Sequence, residues 1–146
     1  MRPSIQRHAI GISAALALVP GCGEERSDPA QVTLGRKIYA QHCAACHGAK
    51  LEGQPNWRAR LPSGRMPAPP HDDSGHTWHH PHDVLFGITK HGLVPPYAPA
   101  GYQSDMPAFA GTLSDDEIRA VLAYIASHWS DEVRKLRAEM IANARR

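Results

Sequence analysis

Five consecutive residues constrain this chain more than any other feature of its sequence: Cys43-Ala44-Ala45-Cys46-His47. Two thiols three positions apart and an imidazole directly after them form the C-x-x-C-H pattern of covalent haem attachment. The spacing suits this chemistry because two thiols reach the two vinyl groups of one porphyrin while the histidine places a ring nitrogen on the iron. The motif predicts one covalently bound haem, with Cys43 and Cys46 as thioether residues and His47 as an axial iron ligand.

Two other uses of paired cysteines agree less well with the flanking sequence. A redox dithiol is expected after a hydrophobic strand in a βαβ unit, whereas the residues around Cys43 are polar and helical in pattern. A zinc site needs two further ligands at finger-like spacing, and the histidine cluster begins only at His71, 24 residues after the motif. Haem attachment is therefore the favoured interpretation.

Residues 1–22 have the pattern of an export signal. Two arginines precede an uncharged stretch at residues 9–19, which Pro20 ends. Eleven residues rise only about 16 Å as a helix, which is too short for a hydrocarbon core of about 30 Å. We expect the mature chain to lie outside the cytoplasm.

Residues 19–22 resemble a bacterial lipobox, in which the chain is cut before a cysteine that then carries lipid. On this interpretation Cys22 anchors the protein to a membrane on its periplasmic side. Ordinary cleavage near Gly21 or Gly23, which leaves a free periplasmic protein, is the alternative.

The chain around the motif resembles a single-haem class I c-type cytochrome. Leu34-Gly35-x-x-Ile38-Tyr39 matches the N-terminal helix of that family, with Gly35 at the place where the two terminal helices cross. A glycine suits that place because two helix backbones approach nearly to contact when no side chain separates them. The resemblance implies a mostly α, cytochrome c-like fold, in which three to five helices enclose one haem between long proline-rich loops.

The resemblance also divides the chain into four segments. They are an export signal at 1–22, a linker at 23–31, the cytochrome c domain at 32–129 and a C-terminal helical extension at 130–146. In the extension, apolar residues form one stripe among charges: Val133, Leu136, Met140 and Ile141.

The last helix of the domain is predicted to begin after Ser114. Ser114-Asp115-Asp116-Glu117 is a capping box, with Ser114 as N-cap and Glu117 at N3. Apolar residues then recur at helical spacing on one face: Ile118, Val121, Leu122, Ile125 and Trp129. We expect this helix to cross the N-terminal one.

The resemblance implies a methionine as the second axial ligand. Met106, which Pro107 follows, lies 59 residues after His47 and just before the last helix, as the family's axial methionine does. Met66, also followed by a proline, is the alternative. A thioether is a soft ligand that stabilises ferrous iron, so a His/Met pair raises the reduction potential.

Residues 51–83 show no sustained periodicity and predict a loop that wraps the haem. In the family, a proline carbonyl in this region accepts a hydrogen bond from the axial histidine, and Pro55 and Pro62 are the candidates for that role. A short helix ending at Gly92 follows. Beyond it, Tyr97 or Tyr102 would reach a haem propionate.

Histidines and aspartates cluster in the second part of the 51–83 loop. The cluster consists of His71, Asp72, Asp73, His76, His79, His80, His82 and Asp83. Imidazole and carboxylate suit copper or zinc. The alternatives are hydrogen bonds to haem propionates, exposure to solvent, or a histidine that displaces Met106 from the iron.

These features predict a one-electron carrier, periplasmic or membrane-anchored, that serves redox partner proteins and is not itself an enzyme. With His47 and Met106 both on the iron, no coordination position is open to a substrate. The formal charge of +2 is too small for binding to a phosphate backbone, so no nucleic-acid partner is expected. Two alternative functions are a haem-based gas or redox sensor with a labile Met106, and a copper-handling haem lipoprotein that uses residues 71–82.

Overall fold

The computed structural model describes residues 28–144 and Arg146. Within these residues the chain forms α-helices and irregular segments and no strand. The helices are α1 (Pro29–His42), α2 (Ala44–His47), α3 (His82–His91), α4 (Asp115–Ser127) and α5 (Asp131–Ala144), with a 3₁₀ turn at Thr77–His79. The prediction of a mostly α fold is confirmed. The proposed export signal and Cys22 lie outside the described residues.

α1 and α4, the two helices that cross in the core, each begin with a residue whose side chain caps the helix. At α1, the Asp28 side chain accepts a hydrogen bond from the Ala30 N–H. This cap lies four residues before residue 32, the predicted start of the domain. At α4, the Ser114 hydroxyl accepts a hydrogen bond from the Glu117 N–H, and the Glu117 carboxylate accepts one from the Ser114 N–H. The predicted capping box is therefore present.

The core lies where α1, α3 and α4 meet. α1 crosses α4 at Gly35, which is buried against the backbone of Ala120. The predicted apolar face of α4 is buried, and so is Trp129, two residues after the end of the helix. The buried apolar residues are Ile38, Tyr39, Leu51, Leu85, Phe109, Leu113, Ile118, Ala120, Val121, Leu122, Tyr124, Ile125, Trp129 and Val133.

The segment that carries Met106 is attached to the end of α3. The Phe109 N–H donates to the Thr89 carbonyl at 3.1 Å, and the Ala110 N–H donates to the Lys90 carbonyl at 3.0 Å. α3 ends at Gly92, as predicted from its tolerance of positive φ, here +80°. The position of the Met106 segment is thereby tied to a helix of the core.

The extension folds back as α5, but the predicted apolar stripe is only partly buried. Val133 is buried, whereas Leu136 and Met140 are 43% and 40% exposed. The buried position one turn after Val133 is occupied by Arg137. The apolar stripe does not coincide with the buried face of α5, because the surface that α5 meets, next to the 3₁₀ turn, offers carbonyl acceptors to a guanidinium. None of the described helices is long and apolar enough to cross a membrane.

Candidate haem site

One helical turn carries the three reactive residues of the motif, Cys43, Cys46 and His47. The His47 N–H donates to the Cys43 carbonyl at 2.9 Å, and the Cys43 N–H donates to the last turn of α1. Cys43 is half-buried, Cys46 is exposed, and both are free thiols. Burial, with a smaller contribution from Cys46, raises the pKa of the Cys43 thiol to about 11. Two free thiols and an imidazole on one turn fit covalent attachment of a haem.

The His47 imidazole is held in one tautomer. Its Nδ1 lies 2.8 Å from the carbonyl oxygen of Pro69. A carbonyl can only accept, so Nδ1 carries the hydrogen and Nε2 keeps a free lone pair. Burial lowers the pKa of His47, against the smaller opposing effect of the Pro69 hydrogen bond, and keeps the ring neutral. A neutral imidazole with a bare Nε2 is the form that ligates iron.

The proline that orients His47 is neither of the two candidates from the sequence. Residues 54–68 form a closed excursion, because the Gln54 N–H donates to the Ala68 carbonyl and the Ala68 N–H donates to the Gln54 side chain, both at 2.9 Å. Pro55 and Pro62 lie inside that excursion. The chain returns to His47 only at Pro69, 22 residues after it.

Tyr39 supports the backbone immediately after the motif. Its hydroxyl donates to the Gly48 carbonyl at 3.0 Å and lies 3.3 Å from the His47 carbonyl. Burial raises the pKa of Tyr39, so the hydroxyl remains a donor. The aromatic residue that the sequence placed on the first helix therefore connects α1 to the turn that follows His47.

His71 lies directly against His47. The two rings are stacked, with centroids 3.9 Å apart and planes 19° from parallel. Burial lowers the pKa of His71 well below its usual value, and the nearby His47 adds to the effect. His71 was expected in a metal-binding or propionate-binding cluster. No sequence signal identified its position, because the contact depends on how the chain returns at Pro69.

Three other histidines of the cluster make ring contacts away from His47. His76 and His80 meet edge to face, with ring centroids 5.4 Å apart, while His79 lies against Trp78 at 3.7 Å. Among residues 28–144 and 146, no three histidine, cysteine, aspartate or glutamate residues are grouped so that they could hold a metal ion. The structure therefore does not support the copper or zinc interpretation of residues 71–82.

The two methionine loops are neighbours. Arg65 and Asp105 form an ion pair that connects the loop carrying Met66 to the loop carrying Met106. Met106 is half-buried and packs against the core, and its N–H donates to the Ser104 hydroxyl at 3.0 Å. Tyr97, expected near a propionate, packs on α3, where a Cβ at Gly87 would lie 2.0 Å from the tyrosine ring.

A family model described as cytochrome C oxidase, cbb3-type, subunit III matches residues 30–125. The matched range contains the five-residue motif, Pro69 and Met106, and it ends before Trp129 and α5. Comparisons with curated proteins and with solved structures gave no significant match.

Proposed function

The chain belongs to this family of c-type cytochrome domains, and from that membership we propose that it is an exported one-electron carrier with His47 and Met106 as axial iron ligands. A domain of this family contains a covalently bound c-type haem and transfers electrons between redox partners. Cys43 and Cys46 are the residues proposed to form the two thioether bonds. The bound haem supplies the change of iron oxidation state.

The observation that carries the proposal is the hydrogen bond from His47 Nδ1 to the Pro69 carbonyl, at 2.8 Å. It fixes the ring orientation and leaves Nε2 free, and a partner of this kind also raises the basicity of a metal-bound imidazole. The two thiols lie on the same turn, so one porphyrin can engage all three side chains. A ligand held this firmly suits a carrier, whose iron changes charge without exchanging ligands.

Met106 is the stronger of the two methionine candidates. Its side chain packs against the core, and its segment is bonded to the end of α3 through Phe109. Met66 lies within the closed excursion at 54–68, directly after the inner turn that the Leu61 N–H closes on the Arg65 carbonyl. A thioether from Met106 would fill the sixth iron position and favour the ferrous state. The iron would then have no open position for a substrate or a gas.

The proposed location of the protein rests on the sequence of residues 1–22. Their pattern favours export, and cytochrome c domains of this family are usually exported in bacteria. Lipid on Cys22 would hold the domain at the periplasmic face of a membrane. The family description names an oxidase subunit, so a terminal oxidase is the first redox partner to seek by copurification.

The optical spectrum of the exported protein, oxidised and reduced, with and without carbon monoxide, tests the proposed ligands. The wild type should be low-spin in both states and should not bind carbon monoxide. Met106→Ala should become high-spin and bind carbon monoxide when reduced. Met66→Ala, the matched control, should behave as the wild type.

Two outcomes would contradict the carrier proposal in its present form. Rapid binding of carbon monoxide by the reduced wild type would show an open or labile site and favour the sensor function. A high-spin Met66→Ala protein beside a low-spin Met106→Ala protein would transfer the ligand role to Met66.

A further inference from the structure

Trp129, just before α5, and Arg137, in the middle of that helix, hold the segment that orients the axial histidine, and we propose that they are positioning residues for His47. The proposal rests on haem ligation by His47. We call residues 69–80 the proximal segment, because Pro69 and His71 within it contact the His47 ring. Neither Trp129 nor Arg137 lies in the range that the family model matches.

The proximal segment reaches His47 in two ways. The Pro69 carbonyl accepts the Nδ1 hydrogen, and the His71 ring stacks on the imidazole at 3.9 Å. On its other side, the His71 N–H donates to the Leu51 carbonyl at 2.8 Å. A displacement of this segment would therefore change the environment of His47 directly.

Trp129 and Ser130 attach the first half of the proximal segment. The Trp129 indole N–H donates to the His71 carbonyl at 2.9 Å, across 58 residues of sequence. The Ser130 N–H donates to the Asp73 carboxylate at 3.0 Å. Trp129 is only 3% exposed, so its N–H bond is shielded from water. The buried indole of Trp129 thus holds the backbone of His71, the residue that stacks on His47.

Arg137 attaches the second half of the proximal segment. Its Nη1 donates to the Trp78 carbonyl at 2.7 Å and to the His80 carbonyl. The guanidinium also lies over the Trp129 ring, with its central carbon 5.1 Å from the ring centroid. The two anchors are therefore in contact with one another and act on consecutive parts of one segment.

The surroundings of Arg137 indicate that packing alone does not explain why an arginine occupies this buried position. The residue is 5% exposed, and its Nη2 has no hydrogen-bond partner among the residues that the structure describes. Burial lowers the pKa of the guanidinium. A buried cation with an unmet donor is unfavourable compared with an apolar side chain of similar size. What the guanidinium adds in return is the pair of hydrogen bonds that its Nη1 donates to two carbonyls, which defines the path of residues 78–80.

Loosening this attachment should weaken the bond between His47 and Pro69. The imidazole would then be less basic as a ligand, which favours ferrous over ferric iron, so the midpoint potential should rise. The Nδ1 hydrogen would also be exposed more often to solvent. Exchange of that one hydrogen reports on the positioning of His47 without any measurement of electron-transfer activity.

The experiment uses the reduced haem protein, which is diamagnetic, and follows deuterium exchange of the His47 Nδ1 hydrogen by NMR, together with the midpoint potential. Trp129→Phe keeps an aromatic ring and removes the indole N–H that donates to His71. Arg137→Met keeps a long side chain and removes the two hydrogen bonds from Nη1. Each should speed exchange at least about fivefold, as expected when the net stabilisation of one or two hydrogen bonds is lost, and should raise the potential. Arg137→Lys should recover part of the difference.

The matched control is Arg134→Met, also on α5, whose guanidinium pairs with Asp131 of the same helix. Its exchange rate and potential should equal those of the wild type. Wild-type exchange rates in both Trp129→Phe and Arg137→Met, with intact low-spin spectra, would overturn the positioning role and leave the carrier proposal standing. A wild-type protein without a histidine-ligated haem would instead overturn the proposed function.

Discussion

A Cβ atom on Gly35 would lie 2.0 Å from the carbonyl oxygen of Ala120. α1 and α4 therefore touch backbone to backbone at this point, and no side-chain rotation can make room for a methyl group. Gly35→Ala should destabilise the protein by about 2 kcal/mol, even though alanine favours a helix, because overpacking a rigid contact outweighs the gain in propensity. Urea unfolding of the haem protein measures the difference.

Gly111→Ala is the control for this substitution. A Cβ on Gly111 would meet no atom within 4 Å, and its φ is not positive. Its stability should stay within about 0.5 kcal/mol of the wild type. Equal effects of the two substitutions would show that the crossing is looser than the structure indicates.

Tyr39→Phe should cost about 1 kcal/mol of stability, the usual net value of one hydrogen bond. The loss is moderate because both carbonyls that the hydroxyl contacts keep a backbone donor, Gly53 for His47 and Leu51 for Gly48. Thermal unfolding detects it. Tyr102→Phe removes a hydroxyl from a half-buried tyrosine and should leave the melting temperature unchanged, so a similar loss there would argue against the role assigned to the Tyr39 hydroxyl.

Ser114→Ala should lower the melting temperature by several degrees at neutral pH, because it removes the N-cap of α4. Hydrogen bonds from Ser114 lower the pKa of Glu117. A lowered carboxyl pKa contributes stability above its unfolded value, and that contribution disappears as the pH falls through the folded value. The difference between variant and wild type should therefore shrink in acid. Ser63→Ala, at an exposed loop position, should match the wild type at every pH.

The protein should lose stability as the pH falls below about 6.5, the usual histidine value. Burial lowers the pKa of His76 and of His80, and nearby charges, including those of Arg58 and Arg137, add to the effect. A histidine with a lowered pKa is stable when neutral, so its protonation favours the unfolded chain and the loss begins at its unfolded value. Urea midpoints at pH 7.5 and 5.0 measure this loss.

The double variant His76→Gln/His80→Gln should lose less stability than the wild type over that pH interval. The exposed His91→Gln variant should lose as much as the wild type. An unchanged loss in the double variant would show that other groups cause the acid sensitivity.

Local signals in the sequence predicted the parts of the structure that depend on neighbouring residues. The capping box at Ser114 and the stop at Gly92 were predicted correctly, because both are set within a few residues by hydrogen bonding and by backbone conformation. The buried face of α4 followed from helical spacing in the same way. The buried face of α5 could not be derived in this way: Leu136 and Met140 of the apolar stripe are exposed, and hydrophobic spacing does not reveal that a buried position offers two carbonyl oxygens to Arg137.

By itself, the sequence determined which reactive groups the candidate haem site contains, because two thiols and an imidazole within five residues already share one helical turn. Only the tertiary structure decided what surrounds the imidazole. Pro69 and His71 reach His47 after the chain closes the excursion at 54–68, and Trp129 reaches His71 across 58 residues. Contacts of that kind depend on the path of the whole chain, and the spacing of residues along it does not encode which carbonyl will return to a given ring.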